Sequence, residues 1–385
     1  MKKLQQNTIN TGIALIIFRY IFAETFKAQF AVFSVLLAIF SSQTLMRVLD
    51  DAMDGAVPTD LVLSMLSLSL PSLAGLILPL SLFIGIFLAH GEMYADSEMT
   101  VLKACGISEW YVTRVTLTLA VIIALITGFF ALYWTPAAYQ ERENLREEIR
   151  ANVGISSLIP GQFKESSNKK AVIFVHDNDP EKDLLDRVFV AQVSPSEANA
   201  NRFDLVYANQ GSVATMADGS EKLFLHNGTV YQGSTAAQNY QITDFEGYSM
   251  IIKERTLEEQ RLRIMAVPTT ELWGSQEIER IAELQWRISL PISVIIVAMI
   301  AVPLARVRPR QGKYAKLVPA FAIYLCYFLL LMAGKSAMED GKIPPRIGVW
   351  WIHAGAFIYA AYLFTTERTM GRRLLNSLKR RPARA

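Results

Sequence analysis

Charged side chains are scarce in this sequence: Asp, Glu, Lys and Arg make up 19% of 385 residues, while 52% are hydrophobic. A soluble domain carries about 25% charge, so the chain is more apolar than a water-facing surface requires. Disorder and collagen-like repeats are excluded by the same balance. Cysteine is nearly missing. Cys105 and Cys326 are the two present, too few for the disulfide framework of a small secreted module. A basic excess is missing too: the net charge of +3 gives no electrostatic footprint for nucleic acid. Catalytic patterns are absent as well. His90, His176, His226 and His353 are dispersed without an HExxH spacing, and there is no GxSxG elbow. Gly334-Lys335-Ser336 looks like the end of a Walker A loop, but its first glycine would fall at Leu329, inside an apolar run. The expectation is a chain that is not an enzyme, with no catalytic residue, no metal site and no cofactor of its own. Any ATP would be used by another chain.

What is present comes in blocks. Six stretches lack Asp, Glu, Lys and Arg: Ala28–Met46, Leu61–Gly91, Val115–Gln140, Ile288–Ala305, Leu317–Gly334 and Ile347–Thr366. Each is close to the ~20 residues that carry a helix across ~30 Å of hydrocarbon. In lipid, backbone polar groups must be satisfied internally, which leaves helices or closed barrels. Barrel strands would alternate polar and apolar, and these stretches do not. Six membrane helices are therefore expected. The first lies too far in and is too long for a cleaved signal peptide.

Basic residues near helix ends set the orientation. Arg306, Arg308, Arg310, Lys313 and Lys316 join the fourth and fifth windows without an acid among them. The tail carries Arg368, Arg372, Arg373, Lys379, Arg380, Arg381 and Arg384, and the N-terminal part carries Lys2, Lys3 and Arg19. These regions belong in the cytoplasm, and six spans put both termini there.

Between the third and fourth windows the composition turns polar, with short β-type runs at Ala171–His176, Arg187–Val193, Phe203–Ala208, Leu223–His226 and Tyr240–Phe245. Asp218-Gly219 and Asn227-Gly228 read as tight hairpin turns, whose two central residues want positive φ. Strands at this spacing suggest a sandwich or jelly roll. The expected architecture is an α-helical membrane protein of six transmembrane helices with an inserted all-β, jelly-roll-like extracytoplasmic domain. Residues 1–136 hold the first three helices, 137–270 the β domain, and 271–385 the last three helices and the basic tail.

The cytoplasmic loop between the second and third windows, near 92–108, is the most informative stretch. Asp96–Ala104 has a helical pattern, with Met99, Leu102 and Ala104 available for packing. Ser97 or Asp96 would cap its start and Gly106 would end it. Glu92, Asp96 and Glu98, with Tyr94 among them, place acid on a face where bases are the rule. A short amphipathic helix between two spans can dock into a groove of a soluble partner, its carboxylates pairing with Arg or Lys. The alternative is a solvated connection whose acids favour a helix start.

Several segments resemble the lipopolysaccharide export permease family, LptF type. They are Phe18-Arg19-Tyr20-Ile21-Phe22-Ala23-Glu24-Thr25-Phe26-Lys27, Leu76-Ile77-Leu78-Pro79-Leu80-Ser81-Leu82-Phe83, Ser97-Glu98 with Ala104-Cys105-Gly106-Ile107-Ser108, Gly161-Gln162-Phe163, Leu284-Gln285-Trp286-Arg287-Ile288-Ser289, and Val302-Pro303-Leu304 with Pro309-Arg310-Gln311-Gly312-Lys313. The resemblance implies a heterodimer with an LptG-type permease around a central cavity in the inner membrane. It implies an LptB ATPase dimer docked beneath, using ATP and Mg, with LptC at a lateral gate. Lipopolysaccharide would be drawn from the outer leaflet and passed through periplasmic β-jellyroll domains toward an LptA bridge. The acidic loop looks like the family's coupling helix, and Glu98 matches its acidic residue facing the ATPase.

Arg47, just past the outer end of the first window, matches a basic position of the family and suits a lipid A phosphate. A second basic position three residues earlier is Thr44 here, which weakens such a clamp. The alternative is an interfacial anchor paired with Asp50 or Asp51. Arg114 and Arg287 flank spans and read as anchors. Glu24 and Lys27, three apart on a helix, can pair. Pro71, Pro79, Pro291, Pro303 and Pro319 punctuate the spans, as kink sites. The runner-up functions are an ion-coupled carrier and a structural membrane protein whose β domain binds a partner.

Overall fold

The structure, a computed structural model, describes residues 2–53, 57–153, 161–165, 171–179, 184–194, 202–216, 221–234, 240–253, 257–306 and 316–367. Arg308, Arg310, Lys313, the tail from Arg368 onward and the Asp218-Gly219 turn lie outside the described residues. The chain folds as two compact units. One takes in the N-terminal residues to Leu49, Val62–Arg142 and the chain from Ile264. The other takes in Asp50–Leu61 and Glu143–Arg263.

The first unit is helical. Its apolar runs become α1 (Lys2–Met53), α2 (Val62–Ala95), the short α3 (Glu98–Ala104) and α4 (Glu109–Phe129). A π-helical stretch, Phe130–Trp134, then leads into α5 (Thr135–Val153). Among the described residues, five stretches are long and apolar enough to cross a membrane: Leu15–Met53, Thr59–Ala95, Glu109–Arg146, Ile278–Leu304 and Leu317–Glu339.

The second unit is one antiparallel meander in chain order. Its strands are β1 (Phe163–Glu165), β2 (Ala171–Asp179), β3 (Leu184–Ser194), β4 (Arg202–Thr215), β5 (Glu221–Ser234) and β6 (Tyr240–Lys253). Each β-type run of the sequence lies in one of them. The alternation puts Ile173, Val175, Val188, Val190, Val206, Ala208, Leu223 and Leu225 into one buried cluster. Phe245, Tyr248 and Met250 of β6 pack half-buried against it. Burial, with the Asp204 carboxylate nearby, pushes the Tyr248 phenol above its ordinary pKa.

Asn227-Gly228 is not a hairpin turn: it lies in the middle of β5. Its left-handed φ of 52° serves a crease instead. One residue in each of five strands falls outside the ladder: His176, Arg187, Asn209, Asn227 and Glu246. They are neighbours across the sheet, and the inward phase slips by one residue there. In β3, Leu185 and then Val188 and Val190 point inward. A Cβ on Gly228 would run into the Tyr207 carbonyl, so the backbones leave no room for a side chain.

The chain returns through α6 (Leu257–Ala266) and α7 (Thr269–Leu272) into α8 (Ile278–Leu304), α9 (Leu317–Glu339) and α10 (Trp350–Glu367). α8 is the hub of the helical unit, touching α2, α4, α7, α9 and α10. Its Val294, Val297, Ala298 and Ala301 lie buried with Phe83 and Ile86 of α2, Leu119 of α4 and Tyr324 of α9. By contrast, 11% of the apolar window of α1 is buried, against 67% for α2. α1 therefore offers most of its apolar surface to something outside this chain. Where it does touch α2 the approach is close: a Cβ on Gly85 would lie 2.6 Å from Gln29 Cα. Pro71 and Pro79 sit inside α2, and Pro291 and Pro303 inside α8. Pro319 instead lies in the first turn of α9, where the missing N–H has no helical partner to lose.

Candidate functional site

α3, Glu98–Ala104, covers all but the first two residues of Asp96–Ala104, the stretch expected to be helical. Ser97 occupies the N-cap position, but with a left-handed φ of 63° and no side-chain cap bond, so the expected capping does not occur. The expected stop is made by Gly106, whose φ is +85°. Its N–H bonds the Lys103 carbonyl at 3.0 Å and the Ile107 N–H bonds the Leu102 carbonyl at 2.9 Å. This paired closure needs a left-handed residue and favours glycine. Ser108 then caps α4, its hydroxyl accepting from the Tyr111 N–H at 3.2 Å.

Packing fixes α3 against three spans. Met99 is buried with Ile21 of α1, Met93 of α2 and Val112 and Val115 of α4, while Leu102 packs half-buried beside them. Ala104, expected to pack, is exposed, because it lies on the opposite side of the last turn from Met99. Glu92 and Asp96 are exposed and Glu98 and Tyr94 half-buried. The Tyr20 hydroxyl of α1 donates to Glu98 Oε2 at 2.7 Å, and Lys103 stands over the Tyr94 ring at 6.0 Å. Beside α3 opens a cleft lined by His90, Tyr94, Met99, Lys103, Val302 and Arg306.

No local pattern pointed to Glu109 as the residue that ties this loop to α8. Its Oε1 accepts from Lys103 of α3 and, at 2.9 Å, from Arg306 just past the end of α8. A carboxylate shared by two cations bridges α3, α4 and α8. Inside, His90 Nε2 lies 3.1 Å from Thr116 Oγ1, and the Thr116 hydroxyl donates to the Val112 carbonyl at 3.1 Å. With that proton committed, the imidazole N–H is the donor in the pair.

Arg47 is exposed on α1, and its Nη2 donates to Thr44 Oγ1 at 3.3 Å. The Glu24–Lys27 pair forms at 2.8 Å. Arg114 is exposed and lies over the Trp110 ring at 5.4 Å. Arg287 is no anchor: it is 2% exposed and pairs with Glu283 at 2.9 Å. Lys335, the lysine of the Walker-like tripeptide, reaches the other Glu283 oxygen at 2.7 Å and Glu339 at 3.7 Å, and stands over the Trp286 ring at 5.4 Å. Two bases and two acids sum to zero, as buried charge must. The signal available in sequence was the i, i+4 spacing of Glu283 and Arg287.

Apolar helices of spanning length, a β unit inserted between the third and fourth of them, and an acid-bearing helix packed beneath three spans define a multi-pass membrane permease. The model for the lipopolysaccharide export system permease LptF/LptG matches residues 19–366, and the chain belongs to that family. It is 36% identical over 369 residues to the lipopolysaccharide export system permease protein LptF of Escherichia coli (strain K12), covering 96% of this chain and all of that protein. The LptF protein of Shigella flexneri matches to the same extent. With its several apolar helices and this kinship, the chain is a multi-pass protein of the inner membrane.

Proposed function

We propose that this chain is the permease subunit of an ATP-driven lipopolysaccharide exporter, paired with an LptG-type permease and powered by an LptB ATPase dimer. The carrying observation is α3, an acid-bearing helix wedged by Met99 onto α1, α2 and α4 beside an open cleft. Force applied to it reaches three spans at once. Glu98, with Glu92, Asp96 and Tyr94 around it, is the face for the ATPase, where Arg or Lys of the partner would meet carboxylates. In this reading the chain hydrolyses no nucleotide itself. ATP and Mg belong to the ATPase.

α10 is the sixth span, and both termini are cytoplasmic, a reading supported by the basic clusters. The creased sheet is half of a jelly-roll-like periplasmic fold whose apolar interior takes acyl chains. LptC at a lateral gate and an LptA bridge would continue the path. Arg47 serves the lipid, offering its guanidinium to a lipid A phosphate near the outer surface. α1, with most of its apolar face uncovered, is where lipid or the LptG-type partner lies.

The test is a pull-down of the full chain in mild detergent, identifying every co-eluting protein. An ATPase and a second permease are expected in stoichiometric amount. Purified alone in liposomes, the chain should neither hydrolyse ATP nor release lipopolysaccharide; either activity would overturn the reading.

A further inference from the structure

Arg287 is bonded at every donor it has. A guanidinium carries five N–H groups. Nε donates to Glu283 Oε1 at 2.9 Å. Nη1 donates to the Val267 carbonyl and to Thr269 Oγ1, both at 2.9 Å. Nη2 donates to the Ile264 carbonyl at 3.3 Å and the Met265 carbonyl at 3.0 Å. Four of the five acceptors lie on Ile264–Thr269, the segment by which the chain returns from the sheet to the helices.

Thr269 extends the knot. Its hydroxyl donates to the Leu132 carbonyl at 2.5 Å. Leu132 lies in the π-helical stretch, on the segment by which the chain leaves for the sheet. A π turn breaks the regular α ladder and often marks a functional position. Glu283 in turn holds Lys335 of α9 at 2.7 Å. Outgoing chain, returning chain, α8 and α9 are thus fastened at one place within the helical unit. At the far end of α8, Arg306 is joined through Glu109 to Lys103 of α3. The 27 residues of α8 make a rod of about 40 Å with one ionic joint in its first half and another just past its last residue.

We propose that Arg287 is a positioning residue that ties the returning chain to α8. Movement received at α3 then passes through Glu109 into α8 and is delivered to the connectors of the sheet. The inference rests on the ATP-driven export reading. Arg287→Lys would keep the charge beside Glu283 but put a compact point charge in place of the planar fork, so the carbonyl bonds to the returning chain are lost. Thr269→Val is nearly isosteric and removes the Leu132 bond.

The experiment uses the full complex with its partners in proteoliposomes loaded with lipopolysaccharide. Lipid release and ATP turnover are read in the same preparation, with the melting temperature beside them. Arg287→Lys and Thr269→Val are each expected to keep ATP turnover within about twofold and to lower lipid released per ATP by about fivefold or more, a loss of about 1 kcal/mol of coupling. A second arm bridges Leu132→Cys and Thr269→Cys with a short bifunctional maleimide in the Arg287→Lys, Cys105→Ser, Cys326→Ser background. Release per ATP should recover with the bifunctional reagent and not with a monofunctional one. Release that falls only in step with melting temperature or ATP turnover, or a ratio unchanged in both variants, overturns the positioning role. Failure of the unmutated complex to release lipid with ATP would instead overturn the export reading itself.

Discussion

Tyr20 and Glu98, 78 residues apart in the chain, share a 2.7 Å hydrogen bond from phenol to carboxylate. It joins α3 to α1, the least buried of the five described spans. A hydrogen bond to a charged group contributes about 1.5–3 kcal/mol, less where water competes, and Tyr20 is 42% exposed. Tyr20→Phe is therefore expected to cost about 1 kcal/mol, a factor of about 5. Lipid release per ATP should fall by that factor while the ATPase still co-purifies. Equal ratios for mutant and parent would show the bond to be incidental.

Glu98→Lys goes further, placing a cation where the partner is expected to offer one. Membrane insertion and folding should be preserved, since Glu98 lies outside the buried cluster around Met99. Co-purification of the ATPase and lipid-stimulated ATP turnover should both drop. Unchanged lipid release would remove Glu98 from the coupling face.

Arg47→Glu reverses the charge that Thr44 alone holds among the described side-chain bonds. Lipid extraction should slow more than assembly of the complex. A photocrosslinking residue at Met46 or Asp50 should lose its lipid adduct, and an adduct of undiminished yield would favour an interfacial anchor.

Gly85 lets α1 and α2 meet backbone to backbone. Gly85→Leu drives carbon into Gln29 Cα, 2.6 Å from the first added atom. Overpacking costs about 1–3 kcal/mol, so the detergent-solubilised chain should melt several degrees lower. Gly355→Ala is the control, since no atom lies within 4 Å of the added carbon. Matching melting curves would mean that α1 is free to move aside.

The long apolar windows were legible because hydrocarbon demands length and uncharged composition, a constraint written directly into residue type. The acidic loop was legible for the converse reason: Glu92, Asp96 and Glu98 stand where bases are the rule. Residues that act through distant contacts left little trace. Tyr20 finds Glu98, and Arg306 finds Glu109, across separations that no local pattern encodes. Arg287 misled by position, since an arginine beside a span usually reaches outward, whereas here Glu283 and backbone carbonyls repay its burial. Asn227-Gly228 signalled positive φ correctly at Asn227 but not at Gly228, and a single left-handed residue serves a kink in a continuing strand as well as a turn. The Tyr207 carbonyl pressed against Gly228 decides between them.

That kink line makes the β unit intolerant of length changes. Losing Asn227 alone would turn Gly228, Val230 and everything after them in β5 over to the wrong side, exposing Val230 and drawing Tyr231 inward, while β4 and β6 kept their own phase. A deletion there can succeed only if His176, Arg187, Asn209 and Glu246 go with it, so the five strands are edited together or not at all.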